Sequence, residues 1–386
     1  MLADLERARV SPVPANVALP ARRRGDDDGP AGKEIPPNRD FKAITAGILL
    51  CVALYGSIKL QCALSLLAIA VQPVALYWAF RRFRLSRYVR ECNMLRVFAA
   101  GFFVAILAAS YEQVAQFVLA RMMGFVSSDV ALAAHSVSFG GPGRTTVRSV
   151  AGSLTFFVLL SYGTTALVEE VLKLGASRSQ TQHQYADNED EGSRHDDRKS
   201  RRQRVMVAVS LAVAGSCGFA TIENIVYLIV PSVAQIFKGN SANSAGDKDG
   251  MIIFSHSEYW NMVLYRIMVV ATLHVICGVL TGANVARRDL MHVAHKSTEH
   301  STVLWCAVPA VILHGSYNLM VNLLHAEELH SHAHHTVTLW GVGALALAAG
   351  LLSTKVAGDA LQNELRTTVA EQTGPSAATL PVPLEP

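Results

Sequence analysis

Glu169, Glu170 and Lys173 stand in TTALVEEVLKLGA, Glu223 and Asn224 in AGSCGFATIENIVYLIV, Arg266 and His274 in YRIMVVATLHVICGVLTGA, and His314, Asn318 and Asn322 in CAVPAVILHGSYNLMVNLL. Each group is set in an apolar run. On a helix, Glu169 and Lys173 share a face at i, i+4, while Glu170 lies about 100° round and meets Lys173 at i, i+3. Arg266 and His274 share a stripe at i, i+8, and His314, Asn318 and Asn322 follow one another at i+4. Glutamates, imidazoles and amides of this kind support two chemistries. In the first, a glutamate takes a proton from water while imidazole N–H and amide groups stabilise the oxyanion of an attacked carbonyl. In the second, the same side chains hold a metal. Zinc takes His nitrogen and Glu oxygen, and Glu170, Glu223, His274 and His314 are the candidate ligands. The residues leave both open, and none of the peptidase patterns HExxH, GxSG and GxGD is present.

The elements that must position these residues follow from composition. The chain has 386 residues, 51% of them hydrophobic and 17% charged, against roughly 25% charged in a soluble globular protein. Mean hydropathy is +0.28. A soluble multidomain enzyme and a disordered or collagen-like chain are both disfavoured. A net charge of +4 gives no nucleic-acid footprint. Apolar windows of about 19 residues fall at 43–58, 61–80, 97–120, 150–174, 205–230, 260–284, 303–324 and 336–354. The expected fold is all-α: a polytopic transmembrane helical bundle of about eight spans whose solvent is the lipid bilayer. Five of the six cysteines lie in apolar runs without CxxC spacing and read as small hydrophobes.

Lys and Arg in the loops after the second, fourth and sixth segments number sixteen, against six in the opposite set. By the positive-inside rule both termini are expected in the cytoplasm. Residues 1–40, with Arg22–Arg24, Asp26–Asp28 and several prolines, read as a disordered tail, and 355–386 as a second one. Residues 41–354 form the expected transmembrane domain. Its motif-bearing core is 150–322, interrupted at 177–204 by a polar stretch that reads as a disordered loop. His325, His330, His332, His334 and His335 read as a solvated loop, with weak metal binding or pH sensing as the alternative.

A charge at mid-bilayer costs roughly 2.5–3.5 kcal/mol, so Glu169, Glu170, Lys173, Glu223 and Arg266 together would cost on the order of 10 kcal/mol or more if unpaired. Convergence on one wet cavity offsets that cost. Arg266 is placed either to snorkel or to pair, and Glu112, towards the end of 97–120, reads as interfacial. Straight helices set Glu169 and Glu223 towards opposite sides of the membrane. A proton-coupled transporter and a non-catalytic membrane scaffold are the alternatives, the first weakened by the lack of an internal repeat.

Four segments taken in series resemble the PrsW-type intramembrane proteases, which are related to the type II CAAX prenyl endopeptidases. Glu169-Glu170-x-x-Lys173 is similar to the family's EExxK, and Gly218-Phe219-x-x-x-Glu223-Asn224 with Tyr227 to its GFxxxEN. His274, and His314-Gly315 through Asn318, resemble its two histidine helices. The prenyl endopeptidases carry histidine where Glu223 stands, which favours the PrsW-like branch. The resemblance implies hydrolysis of peptide bonds in membrane-anchored proteins, in or near the bilayer. It also implies that Glu169 or Glu170 activates water, that His274, His314 and Asn318 bind a metal or the oxyanion, and that Glu223 completes the site.

Overall fold

The computed structural model describes residues 60–82, 88–123, 150–190, 197–239, 256–295, 303–327 and 332–373, and among them every regular element is helical. Helix α1 is Leu60–Arg82 and α2 is Glu91–Met122. Helix α3 runs over 150–190 as Val150–Val158, a π-helical segment Leu159–Ala166, and Leu167–Asp190. Helix α4 is Asp197–Gly239. Helix α5 covers 256–295 and also contains a π segment, Arg266–Val270, between His256–Tyr265 and Ala271–His295. A short 3-10 turn, Val303–Ala307, leads into α6, Val308–Glu327, and α7 is His332–Thr373.

Six of these helices, α2 to α7, are long and apolar enough to cross a membrane. Helix α1 carries a shorter apolar stretch, Leu64–Phe80, with Pro73 inside it. The count of about eight is therefore six full-length candidates and one shorter helix, while 43–58 lies outside the described residues. The 1–40 tail and the side chains of the histidines at 325–335 lie outside them too.

Helix α4 is the central post. Of its apolar window 89% is buried, against 17% for α7, which leaves α7 most of its apolar surface for lipid. Small residues set how closely the neighbours approach the post, since a membrane interface gains by packing rather than by expelling water. A Cβ on Gly101 of α2 would fall 2.0 Å from the Gly215 carbonyl oxygen, and one on Gly218 of α4 would fall 2.0 Å from that of Phe98. Both collisions are with backbone, so no rotamer change relieves them. Gly218→Ala is therefore expected to force α2 and α4 apart and to lower stability by about 1–3 kcal/mol, read as a lower midpoint of thermal unfolding in detergent. An unchanged midpoint would mean that this contact does not set the packing.

Two expectations of disorder are corrected. The stretch 177–204 is helical at both ends: α3 continues to Asp190 and α4 begins at Asp197. Its buried face is polar, which a hydropathy window cannot register. Ser177, Thr181 and Gln184 are all buried, the Gln184 carbonyl accepts from the Asn93 amide of α2 at 2.6 Å, and the Tyr185 hydroxyl donates to the Arg204 carbonyl at 3.0 Å. The second expected tail is also helical as far as Thr373. Leu361 is buried there against Val285, Ala286 and Leu290 of α5, and Arg287 pairs with Glu364.

Candidate active site

The polar groups of α3, α4, α5 and α6 meet in the interior. Lys173 is the hub. Its ammonium donates to Glu170 Oε1 at 2.8 Å, to Glu169 Oε2 at 3.2 Å and to His274 Nδ1 at 2.7 Å, and lies 4.2 Å from the centre of the Phe219 ring. His314 Nδ1 lies 3.0 Å from Glu170 Oε1 and 3.8 Å from Glu169 Oε2. The two imidazoles stack edge to face, with centres 4.9 Å apart. Glu170 and His274 are fully buried, and Glu169, Lys173 and His314 nearly so.

Donor and acceptor roles fix both rings. An ammonium can only donate, so His274 accepts at Nδ1 and carries its hydrogen on Nε2, which lies 2.6 Å from Glu223 Oε2. The Glu170 carboxylate accepts from His314 Nδ1, which leaves His314 Nε2 as the nitrogen free to accept or to coordinate.

Glu223 is reached through His274. Its other oxygen takes Arg266 Nη2 at 2.6 Å, while Arg266 Nε donates to Asn224 Oδ1 at 2.8 Å and the guanidinium lies 3.9 Å from the Tyr227 ring centre. Arg266 thus pairs rather than snorkels. The predicted separation of Glu223 from Glu169 is spanned by this imidazole, with Nδ1 on the Lys173 hub and Nε2 on Glu223. Asn224 is fully buried beneath Arg266, and Asn318 is half-buried on the wall of the cavity.

The cavity has a volume of about 110 Å³, room for a few waters. Glu169, His314, Glu223 and Asn318 line it, whereas Glu170, Lys173 and His274 sit behind the wall. The π segments of α3 and α5 come directly before Glu169 and His274 in sequence. Each widens the turn and so resets the face on which the following residues lie. In α3 the π segment also holds α6 in place. The Tyr162 hydroxyl meets Ser316 Oγ at 2.7 Å, Asn322 donates to Ser161 Oγ at 3.0 Å, and a Cβ on Gly315 would fall 2.4 Å from the Tyr162 ring.

Glu169, Glu170, His274 and His314 each offer a ligand atom within 4.8 Å of the others. Glu169 takes the place that the sequence reading gave to Glu223 among candidate ligands. The donor set of two carboxylates and two imidazoles fits a metal ion. Glu170 Oε2 is buried without a hydrogen-bond partner, which leaves it available to a cation. Charge points the same way: among the described residues, four carboxyl groups, those of Glu112, Glu169, Glu170 and Glu223, stand beside two strongly basic side chains, Lys173 and Arg266.

A family model described as PrsW family intramembrane metalloprotease matches residues 91–346. The chain belongs to that family. As a PrsW family member it is a peptide hydrolase of the membrane, acting on membrane-anchored substrates within the bilayer. Comparison with curated proteins and with solved structures gave no match.

The family match begins at α2, ahead of the 150–322 core, and α2 supplies groups that the sequence reading misplaced or omitted. Glu112 lies beside Glu169 and lines the cavity, and so does Gln116 one turn on. Glu112 is not interfacial because α2 continues to Met122, ten residues further and ~15 Å along the axis. The signal was present as an i, i+4 pair of polar residues in an apolar helix.

Proposed function

We propose that this PrsW family protein cleaves peptide bonds of membrane-anchored proteins with Glu169 as the base. The observation that carries the assignment is that Glu169, alone of the paired glutamates, lines the cavity, whereas Glu170 is clamped behind it by Lys173 and His314. Water in the cavity adds its oxygen to the carbonyl carbon and gives its proton to Glu169. Collapse of the adduct breaks the C–N bond, and Glu169 returns the proton to the departing amine. The Asn318 amide lines the cavity, and its N–H stabilises the oxyanion in this reading. Lys173 holds the two carboxyl groups side by side by bonding to both, and Arg266, itself held by Asn224, fixes Glu223 beside His274.

Glu169, Glu170, His274 and His314 would hold the metal, with zinc the candidate ion. When bound, it would polarise the attacked carbonyl or its water. Glu170 on His314 Nδ1 and Glu223 on His274 Nε2 supply the carboxylate–imidazole contacts that orient metal-binding histidines elsewhere. The bias of Lys and Arg supports both termini on the cytoplasmic side.

The test is cleavage of a synthetic single-span peptide by purified protein in proteoliposomes. His314→Ala is expected to lower cleavage at least about 10²-fold, and a zinc chelator to slow the wild type reversibly. Full activity in His314→Ala would remove the site from the reaction.

A further inference from the structure

The cavity offers more hydrogen-bonding capacity than the protein uses. Gln116 on α2 is only 9% exposed and lines the cavity. Glu112 Oε1, one turn earlier, is buried and unpartnered. Asn318 on α6 lines the cavity as well. Unmade hydrogen bonds are costly in a buried setting, and costlier where the surrounding solvent is lipid. Neither Glu112 nor Gln116 belongs to the segments that carry the paired glutamates and histidines.

Their arrangement matches an extended chain. Glu112 and Gln116 form an i, i+4 pair on α2, and Asn318 and Asn322 form another on α6. Both helices pack on the π segment of α3. Residues four apart on a helix are ~6 Å apart along its axis, close to the ~6.6–6.8 Å repeat of two residues in an extended strand. A membrane-spanning substrate arrives as a helix, with each backbone carbonyl hydrogen-bonded and shielded by side chains. The bond to be cut must be unwound to be attacked, and in lipid every freed N–H and C=O needs a new partner.

We propose that Glu112 and Gln116 on α2, together with Asn318 on α6, bind the backbone of an unwound, extended stretch of the substrate beside Glu169. This rests on the peptidase reading and gives it a substrate class: single-span segments that unwind readily next to the scissile bond. The Glu112 carboxylate accepts a substrate N–H. The Gln116 amide accepts one N–H and donates to one C=O, and the Asn318 carbonyl on α6 accepts another N–H while its amide N–H serves the oxyanion.

The experiment uses full-length protein in proteoliposomes and Leu/Ala-rich single-span peptides with either Gly-Gly or Leu-Leu at the centre. The Gly-Gly peptide is also made N-methylated at one amide at a time within three residues of the cut. For wild type, kcat/KM should be about 10-fold higher on Gly-Gly than on Leu-Leu, because helix interiors disfavour glycine. One N-methylation should cost wild type about 5- to 10-fold, as for a lost hydrogen bond. Gln116→Leu should raise KM with kcat little changed, and N-methylation at one of these amides should cost it nothing further. Gln116→Glu, which keeps an acceptor, should recover most of the KM. A wild type that cleaves the peptides, beside a Gln116→Leu with unchanged KM or an undiminished N-methyl penalty, would overturn the inference and leave the peptidase reading standing. A wild type that cleaves none of them would overturn both.

Discussion

Glu169→Gln, reconstituted in proteoliposomes, is expected to lose peptide cleavage by about 10²–10⁴-fold, the usual contribution of a positioned general base, while unfolding close to the wild-type temperature. The two adjacent glutamates are separable because their surroundings differ. Glu169 reaches the cavity and shares Lys173 at 3.2 Å, so an isosteric amide there keeps the shape and loses the base. Glu170 Oε1 is the common acceptor of Lys173 and His314, and its side chain is sealed from the cavity. Glu170→Gln is therefore expected to lose stability as well as activity, by on the order of 3 kcal/mol. Thermal unfolding and cleavage measured on the same preparations separate the cases. Equal unfolding midpoints for the two variants would contradict the distinction between a base and a clamp.

Lys173→Met has the largest expected effect on the fold. Among the described residues, the ammonium is the group that contacts Glu169, Glu170 and His274 Nδ1 together. Taking it away leaves two adjacent carboxylates without their counter-charge inside the protein. Breaking a buried ion pair from one side costs about 3–5 kcal/mol, enough to move the unfolding midpoint of a helical membrane protein by many degrees. Lys173 and a bound metal would draw on the same carboxylates. Added zinc is thus expected to raise the unfolding midpoint of Lys173→Met by more than it raises that of wild type. A variant as stable as wild type without metal would show that the hub does not hold the site together.

The sequence made the helical class and the site legible to different depths. Apolar runs revealed most of the membrane helices because membrane solvation imposes length and composition directly on sequence. The paired glutamates and the two histidines stood out for the same reason, as charges and imidazoles in stretches where such groups are expensive. The helical ends at 177–190 and 355–373 were hidden. The face that α3 buries there consists of Ser177, Thr181 and Gln184, and the far end of α7 is anchored by little more than Leu361, Leu365 and the Arg287–Glu364 pair. Glu112 was misplaced by a span boundary drawn too short. Which glutamate faces the cavity was also hidden, because that depends on the rotation of α3 after its π segment, and a helical wheel assumes no such widening.

The most direct measurement is mass spectrometry of the products formed from a single-span peptide by reconstituted wild-type protein in H₂¹⁸O, with Glu169→Gln alongside. The account predicts two fragments cut within the membrane-spanning stretch, one ¹⁸O atom in the new carboxyl terminus, and no products from Glu169→Gln. Intact peptide with folded wild-type protein, or labelled products formed equally well by Glu169→Gln, would contradict it.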